Sequence, residues 1–270
     1  MISIIELQAL SAESFSLWEA AFLNAENPVN SSFKKGNTLM VIGSSGYVGL
    51  ATIKYLSKYS KTFQILAGVR DLNTTKNDAL DLPGVKLVQA DMKTKETMTE
   101  TLKNVDCVFI VTPNDEDRVT YVTNAIDACK EASVSQIIIL SIPSASLPHT
   151  VYGQQFYAIE EYAKNSNIPY TILRLAQFME NILGQIESIA GLGKFTSPIP
   201  SRGIFHNSAS VQDIAEGIAL IMTDYQRYRG RTLNLTGDLY CEADYATAFA
   251  GVMGKTVEHK QVSINIIFCI

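Results

Sequence analysis

Between residues 43 and 49 three glycines fall at three-residue intervals, Gly43-Ser44-Ser45-Gly46-Tyr47-Val48-Gly49, directly after the apolar run Leu39–Ile42. Glycine at a strand-to-helix turn permits a tight bend and lets a pyrophosphate approach bare backbone N–H groups. The N-terminus of the helix that follows adds a positive field. Gly43, Ser45, Gly46, Tyr47, Val48 and Gly49 are therefore the expected phosphate cradle, because they follow a strand, open a helix and precede a second strand. That second apolar run ends in Gly68-Val69-Arg70-Asp71, with Lys76 close behind. At this place a carboxylate holds a ribose 2′-hydroxyl, whereas a 2′-phosphate needs a cation. Arg70 offers a planar fork for phosphate and Lys76 a point charge, so NADP(H) is expected over NAD(H). Asp71, able to hold the ribose of NAD, keeps the other dinucleotide open.

Other chemistry-bearing side chains are fewer. Ser141, Ser144 and Ser146 fall in a loop after the fifth apolar run, where Ser141 could hydrogen-bond a substrate carbonyl. His149 stands just before a helix and could donate a proton, although a lone histidine there reads first as a surface residue. His206 and His259 lack partners at metal-ligand spacing, so no metal is expected. No Gly-x-Ser-x-Gly elbow exists, which leaves serine hydrolysis without support.

The elements that must position these residues are short. Apolar runs at Leu39–Ile42, Phe63–Val69, Val85–Gln89, Cys107–Val111 and Gln136–Leu140 alternate with helical patterns. One helix is expected over Tyr47 to about Leu56. Another runs from about Glu116 to Ala132, with Asp115, Glu116 and Asp117 against its N-terminal dipole. Beyond residue 150 come a helix over Gln155–Lys164, a strand Tyr170–Leu175, a helix Val211–Thr223 and a last strand Thr232–Leu235. Almost wholly apolar strands alternating with helices indicate an α/β, doubly wound parallel sheet covered on both faces, a Rossmann fold. The first 36 residues stand apart as a helical extension, with Phe15, Trp18 and Phe22 at helical spacing, followed by a polar linker. Residues 37–270 then form the dinucleotide-binding domain.

Composition narrows the setting. Of 270 residues, 47 % are hydrophobic and 18 % charged, a balance that excludes a disordered or fibrous chain. With 22 basic and 27 acidic side chains the net charge is −5, which argues against direct nucleic-acid binding. No apolar run approaches a membrane span. Residues 1–33 lack Lys and Arg but carry Glu6, Glu13, Glu19 and Glu26, unlike a secretory or transit peptide. Cys107, Cys129, Cys241 and Cys269 are dispersed, as in a reduced cytoplasmic protein.

Several motifs together carry a family resemblance. The G-x-x-G-x-x-G spacing, Val69-Arg70-Asp71 and Gln89-Ala90-Asp91-Met92 resemble the short-chain dehydrogenase/reductase superfamily. Ile159-Glu160-Glu161-Tyr162, Ile168–Arg174 and Phe178-Met179-Glu180-Asn181 resemble its atypical NmrA-like branch, and the likeness covers about residues 38–262. It implies a nicotinamide dinucleotide across the carboxyl ends of the strands. Asp91, beside Met92, would lie by the adenine, Thr112-Pro113 near the nicotinamide and Ser141 at the end of the fifth strand. A small C-terminal substrate lobe would begin at about residue 179, its segment running from about Asn181 to Asn207. The chain departs from the pattern in its first 36 residues. It also stops at an apolar tail, Ser263–Ile270, where the family continues, which implies a gene model cut short.

The third departure is chemical. Superfamily reductases place a Tyr-x-x-x-Lys pair on one helix, and counting back from Glu160 puts that pair at Tyr152 and Phe156. Phe156 can neither supply charge nor hold the ribose, so Tyr152–Phe156–Ile159–Ala163 reads first as a core-facing apolar stripe. Tyr152 remains the candidate catalytic phenol, with His149 and Ser141 beside it. Two functions follow from the resemblance. One is an oxidoreductase passing hydride from NADPH to a small-molecule acceptor, quinone-like or azo, which needs no proton from the protein. The other is a redox-sensing regulator that binds dinucleotide without turnover and acts through a protein partner.

Overall fold

The computed structural model describes residues 36–262. The expected N-terminal helix and the tail at 263–270 lie outside the described residues. In chain order the strands are β1 (Thr38–Ile42), β2 (Gln64–Val69), β3 (Val85–Gln89), β4 (Cys107–Ile110), β5 (Gln136–Ser141), β6 (Tyr170–Leu175), β7 (Gln177–Phe178), β8 (Lys194–Ser197), β9 (His206–Ala209), β10 (Arg231–Leu235), β11 (Leu239–Tyr240) and β12 (Glu258–Gln261). The α-helices are α1 (Tyr47–Leu56), α2 (Glu96–Thr99), α3 (Arg118–Glu131), α4 (Val151–Asn165), α5 (Ile186–Leu192), α6 (Val211–Thr223) and α7 (Glu242–Met253). They fall into two compact units, a larger one over 36–175 and 211–235 and a smaller one over 176–210 and 236–262.

The larger unit is built on a seven-stranded sheet in the order β10-β6-β5-β4-β1-β2-β3. Every pairing in it is parallel. All residues of β1, β4 and β5 are buried, which is why these strands read as continuous apolar runs rather than alternating ones. On one face, Val122, Ala125, Ile126 and Cys129 of α3 and Ile159 and Ala163 of α4 pack on Met40, Ile42, Val108, Ile110, Ile137 and Ile139. On the other, α1 and α6 pack together and enclose Ile53, Leu56, Ile214 and Ile218. Each such Val, Leu, Ile or Met side chain contributes about 1.5–3 kcal/mol through burial. The sheet is the expected doubly wound one, and its strand order reverses between β4 and β1. The carboxyl ends of those two strands therefore flank a topological switch point.

Two helix starts differ from expectation, and both shifts have a local cause. Helix α3 begins at Arg118 rather than near Glu116. The Asp115 carboxylate accepts the Asp117 N–H at 3.1 Å, which holds the acidic triplet in a turn outside the helix. Helix α4 begins at Val151, four residues before Gln155. Its N-cap Thr150 accepts the Gly153 N–H through its hydroxyl at 3.0 Å.

The smaller unit draws on 236–262 as well as the segment expected as a lobe, and Thr232–Leu235 is not the last strand. It contains a three-stranded sheet, β11-β9-β7, and a parallel pair, β12-β8. Ile189, Phe195, Phe249 and Val257 form its core. Helix α7 is capped at both ends. The Asp244 carboxylate accepts the Cys241 N–H at 2.8 Å, and Gly254 closes the other end at φ +63°.

Candidate functional site

Gly43 leaves β1 with φ +87°, a conformation that favours glycine, and a side chain there would meet Val111 just past β4. Gly49 lies so close to the turn that an added Cβ would sit 2.9 Å from Ser44 Cα. Gly46 is extended, at φ −81° and ψ 169°, and caps α1 with no side chain. The turn is held by Gly43 and Ser44 N–H groups donating to Gly68 O at 3.1 and 3.0 Å, and by the buried Ser44 hydroxyl on Val41 O. Among the described residues no acceptor takes the N–H groups of Ser45, Tyr47, Val48 or Gly49, and no acidic residue stands in the first turn of α1. Ser45, Gly46 and Tyr47 are exposed. These free amides beside a bare backbone fit a dinucleotide pyrophosphate.

Arg70 stands exposed at the carboxyl end of β2, and among the described residues nothing hydrogen-bonds its guanidinium. Asp71, in contrast, is engaged in its own turn, where its carboxylate accepts the Asn73 N–H at 2.9 Å. The Lys76 side chain is exposed and its N–H donates to Thr74 Oγ1. After β3, the Asp91 carboxylate accepts the Lys93 N–H at 3.0 Å, while Met92 packs partly against the core. Thr112 is buried, its hydroxyl donating to Leu140 O at 2.8 Å, and half-buried Pro113 follows.

The catalytic expectations fare differently. Ser141 has no exposed surface, and its hydroxyl donates to Glu160 Oε1 at 2.6 Å. Its proton is thus committed inside the fold, which corrects the reading of Ser141 as a donor to a substrate carbonyl. Glu160 is also held by Arg174, Nε to Oε1 at 2.9 Å and Nη2 to Oε2 at 2.7 Å. His149 is exposed on the surface, and its ring has no partner among the described residues. No group of three or more His, Cys, Asp or Glu residues suited to a metal occurs among the described residues.

The apolar stripe on α4 holds for Phe156, Ile159 and Ala163 but not for Tyr152, which is 51 % exposed. A side chain that sequence reasoning missed lies against it. The guanidinium carbon of Arg118 sits 4.4 Å from the Tyr152 ring centroid and 5.6 Å from that of Phe156. Arg118 is only 4 % exposed; its Nε donates to Asp115 O at 2.8 Å and its Nη2 to Asn114 Oδ1 at 3.1 Å. The Tyr152 hydroxyl makes a long 3.5 Å approach to the same Asn114 oxygen. A cation is thus present at this place, supplied by α3 and not by residue 156. The available signal was an arginine opening a helix, where the dipole disfavours positive charge.

Comparisons with known proteins agree with this fold. The chain is 25 % identical over 229 residues to an NAD(P)H azoreductase of Xenophilus azovorans, an alignment spanning 84 % of this chain and 78 % of that one. An Escherichia coli NADPH-dependent quinone oxidoreductase, solved with NADPH, superposes with a TM-score of 0.75 at 25 % identity, covering 83 % of this chain and 78 % of its own. The negative transcriptional regulator NmrA, solved with NADP, superposes with a TM-score of 0.73 at 18 % identity, covering 85 % of this chain and 75 % of its own. At that identity the last likeness speaks for the fold alone. The family model described as the NmrA-like family matches residues 35–270, and it is to this family that the chain belongs.

Proposed function

We propose that this chain binds NADP(H) at the carboxyl edge of its parallel sheet and reduces a small quinone-like or azo acceptor. The observation that carries the reading is the pairing of the free amides of Ser45, Tyr47, Val48 and Gly49 with the unpartnered Arg70 at the end of β2. The amides would hold the pyrophosphate and Arg70, with Lys76, the 2′-phosphate; Asp91, Met92, Thr112 and Pro113 would line the rest of the dinucleotide. Bound there, reduced nicotinamide supplies hydride. The named activities of the azoreductase and quinone oxidoreductase relatives support the acceptor class. So does Phe156, because a quinone takes up hydride without an obligatory proton from the protein.

We also propose that the segment from about residue 179 forms the substrate lobe. Three free, buried cysteines, Cys107, Cys129 and Cys241, suit a reducing compartment such as the cytoplasm. No described helix is long and apolar enough to cross a membrane. The test is NADPH oxidation with a panel of quinones, azo dyes and simple ketones, beside titrations of NADPH and NADH. Quinone or azo turnover with slow ketone reduction is expected. Tight NADPH binding with no turnover on any acceptor would assign the chain instead to a dinucleotide-sensing regulator with a protein partner.

A further inference from the structure

Arg118 differs from the other enclosed arginine, Arg174, in having no counter-ion. Arg174 faces the Glu160 carboxylate, whereas Arg118 forms no ion pair with any carboxylate among the described residues. Asp115, Glu116 and Asp117 adjoin it in sequence, but Asp115 offers it only a backbone carbonyl. The Asp117 carboxylate takes the Tyr121 hydroxyl instead. Burying a cation without an anion is costly, and two hydrogen bonds satisfy only two of the five guanidinium N–H groups.

The unused donors include both on Nη1. Among the described residues, the wholly enclosed side-chain atoms lacking a partner are Asn77 Oδ1 and His206 Nε2. Nη1 is not among them, so the little solvent contact that Arg118 keeps includes this atom. Asn114, which anchors the other side of the guanidinium, follows directly on Thr112-Pro113 past β4. The Tyr152 ring covers one face of the cation at 4.4 Å. A fixed guanidinium with donors to spare, beside an exposed aromatic ring, suits an anionic oxygen on a planar molecule.

We propose that Arg118 is the acceptor-binding cation of this site, taking on its Nη1 edge the oxygen that becomes negative as the acceptor is reduced. The inference deepens the reductase reading and rests on it for its substrate. When a quinone accepts hydride from reduced nicotinamide, a C–H bond of the nicotinamide breaks and an O–H bond forms on one quinone oxygen. The electron pair leaves negative charge on the other oxygen, giving a hydroquinone monoanion and oxidised cofactor. Arg118 holds that charge until water supplies the second proton. A preorganised donor aimed at developing charge is the kind of group whose removal costs about 100- to 1000-fold in turnover.

The probe is 4-nitrophenol, a planar ring whose single oxyanion is visible by absorbance, titrated into the full chain with NADP+ where the free probe is half ionised. Saturable binding that enriches the phenolate form is expected. Arg118→Met should weaken it at least tenfold. Asn114→Asp should do the same while keeping the guanidinium, because it gives Arg118 an internal carboxylate. That second variant answers the case in which Arg118→Met does not fold, and unchanged NADPH affinity shows that the cofactor site persists. In quinone reduction, Asn114→Asp should lower kcat with little change in the KM for NADPH. Phenolate binding equal in parent and Asn114→Asp, or absent in the parent, overturns the assignment. Turnover indifferent to both substitutions overturns it while leaving the reductase reading intact. Arg118-dependent phenolate binding in a chain that never oxidises NADPH upholds the anion site and sinks the reductase reading.

Discussion

Glu160 on α4 and Arg174 on β6 form a two-point ion pair, with Nε–Oε1 and Nη2–Oε2 distances of 2.9 and 2.7 Å around a carboxylate that has no exposed surface. The Ser141 hydroxyl on β5 completes the cluster. Burial pushes the Glu160 carboxyl up, but the hydrogen bonds from Arg174 and Ser141, with the charges of Arg174 and Lys164, outweigh it and hold the group below its ordinary value. A carboxyl depressed in the folded state contributes stability that is complete above its unfolded value of about 4.3 and is lost as pH falls through the folded value. Denaturant unfolding should therefore show no loss from this group between neutral pH and about 4.3, and a decline below it. That share of the decline should be missing in Glu160→Gln; an unchanged acid slope there would refute the linkage. Arg174→Met, which strands the carboxylate, should cost about 3–5 kcal/mol.

Gly46 and Gly49 should separate binding from stability. A Cβ at Gly46 meets only Gly43 O, at 3.3 Å, and the extended backbone there tolerates a side chain. Gly46→Ala should fold with little loss of Tm yet bind NADPH at least tenfold more weakly, a loss of about 1.4 kcal/mol or more. At Gly49 the new Cβ would press on backbone atoms of Gly43 and Ser44 2.9 Å away. Gly49→Ala should lower stability by about 1–3 kcal/mol. Thermal melts beside NADPH titrations check both; the reverse pattern would mean that the cradle lies elsewhere.

Arg70 should set the choice of dinucleotide. A charge-assisted contact to the 2′-phosphate contributes about 1.5–3 kcal/mol, so NADPH should bind roughly tenfold or more tighter than NADH. Arg70→Ala should erase most of that difference. Equal affinities in the parent chain would promote Asp71 to ribose ligand in spite of its turn with Asn73.

Tyr152→Phe should change quinone reduction little, because the ring over Arg118 is kept and only the long contact to Asn114 is lost. Rapid ketone reduction that collapses in Tyr152→Phe would show instead that the phenol donates a proton, with Arg118 in the place of the absent lysine. Steady-state rates with one quinone and one ketone decide between them.

Residues 1–36 carry no cofactor motif, and we propose that they form an extension separable from the dinucleotide-binding domain. A chain starting at Lys35 should still fold and bind NADPH with little change, as measured by thermal melt and titration. Loss of folding would show that the extension packs on the core.

What could be read from sequence divides along the two units. The bounds expected for β3, β6, α1 and α6 match the structure, because short apolar runs between turns and helices with one apolar face write their state locally. The strands of the smaller unit are short and polar, such as His206–Ala209 and Glu258–Gln261. They become strands by pairing with partners far away in the chain, as β12 does with β8, and no local window contains that information. The site divides in the same way. The glycine cradle is one contiguous segment, whereas Arg118 meets Tyr152 from another helix across 34 positions.

The register of β1 has a consequence for how this chain is made. Leu39 pairs with Cys107, so one edge of this interior strand stays open until 68 further residues have been synthesised. At about 5–20 residues per second that is roughly 3–14 s on the ribosome. During that interval β1, whose five residues are all buried in the finished sheet, has β2 and β3 on one side and nothing of its own on the other. Nascent-chain arrest before residue 107 should therefore yield species that recruit chaperones, and arrest after β5 species that do not.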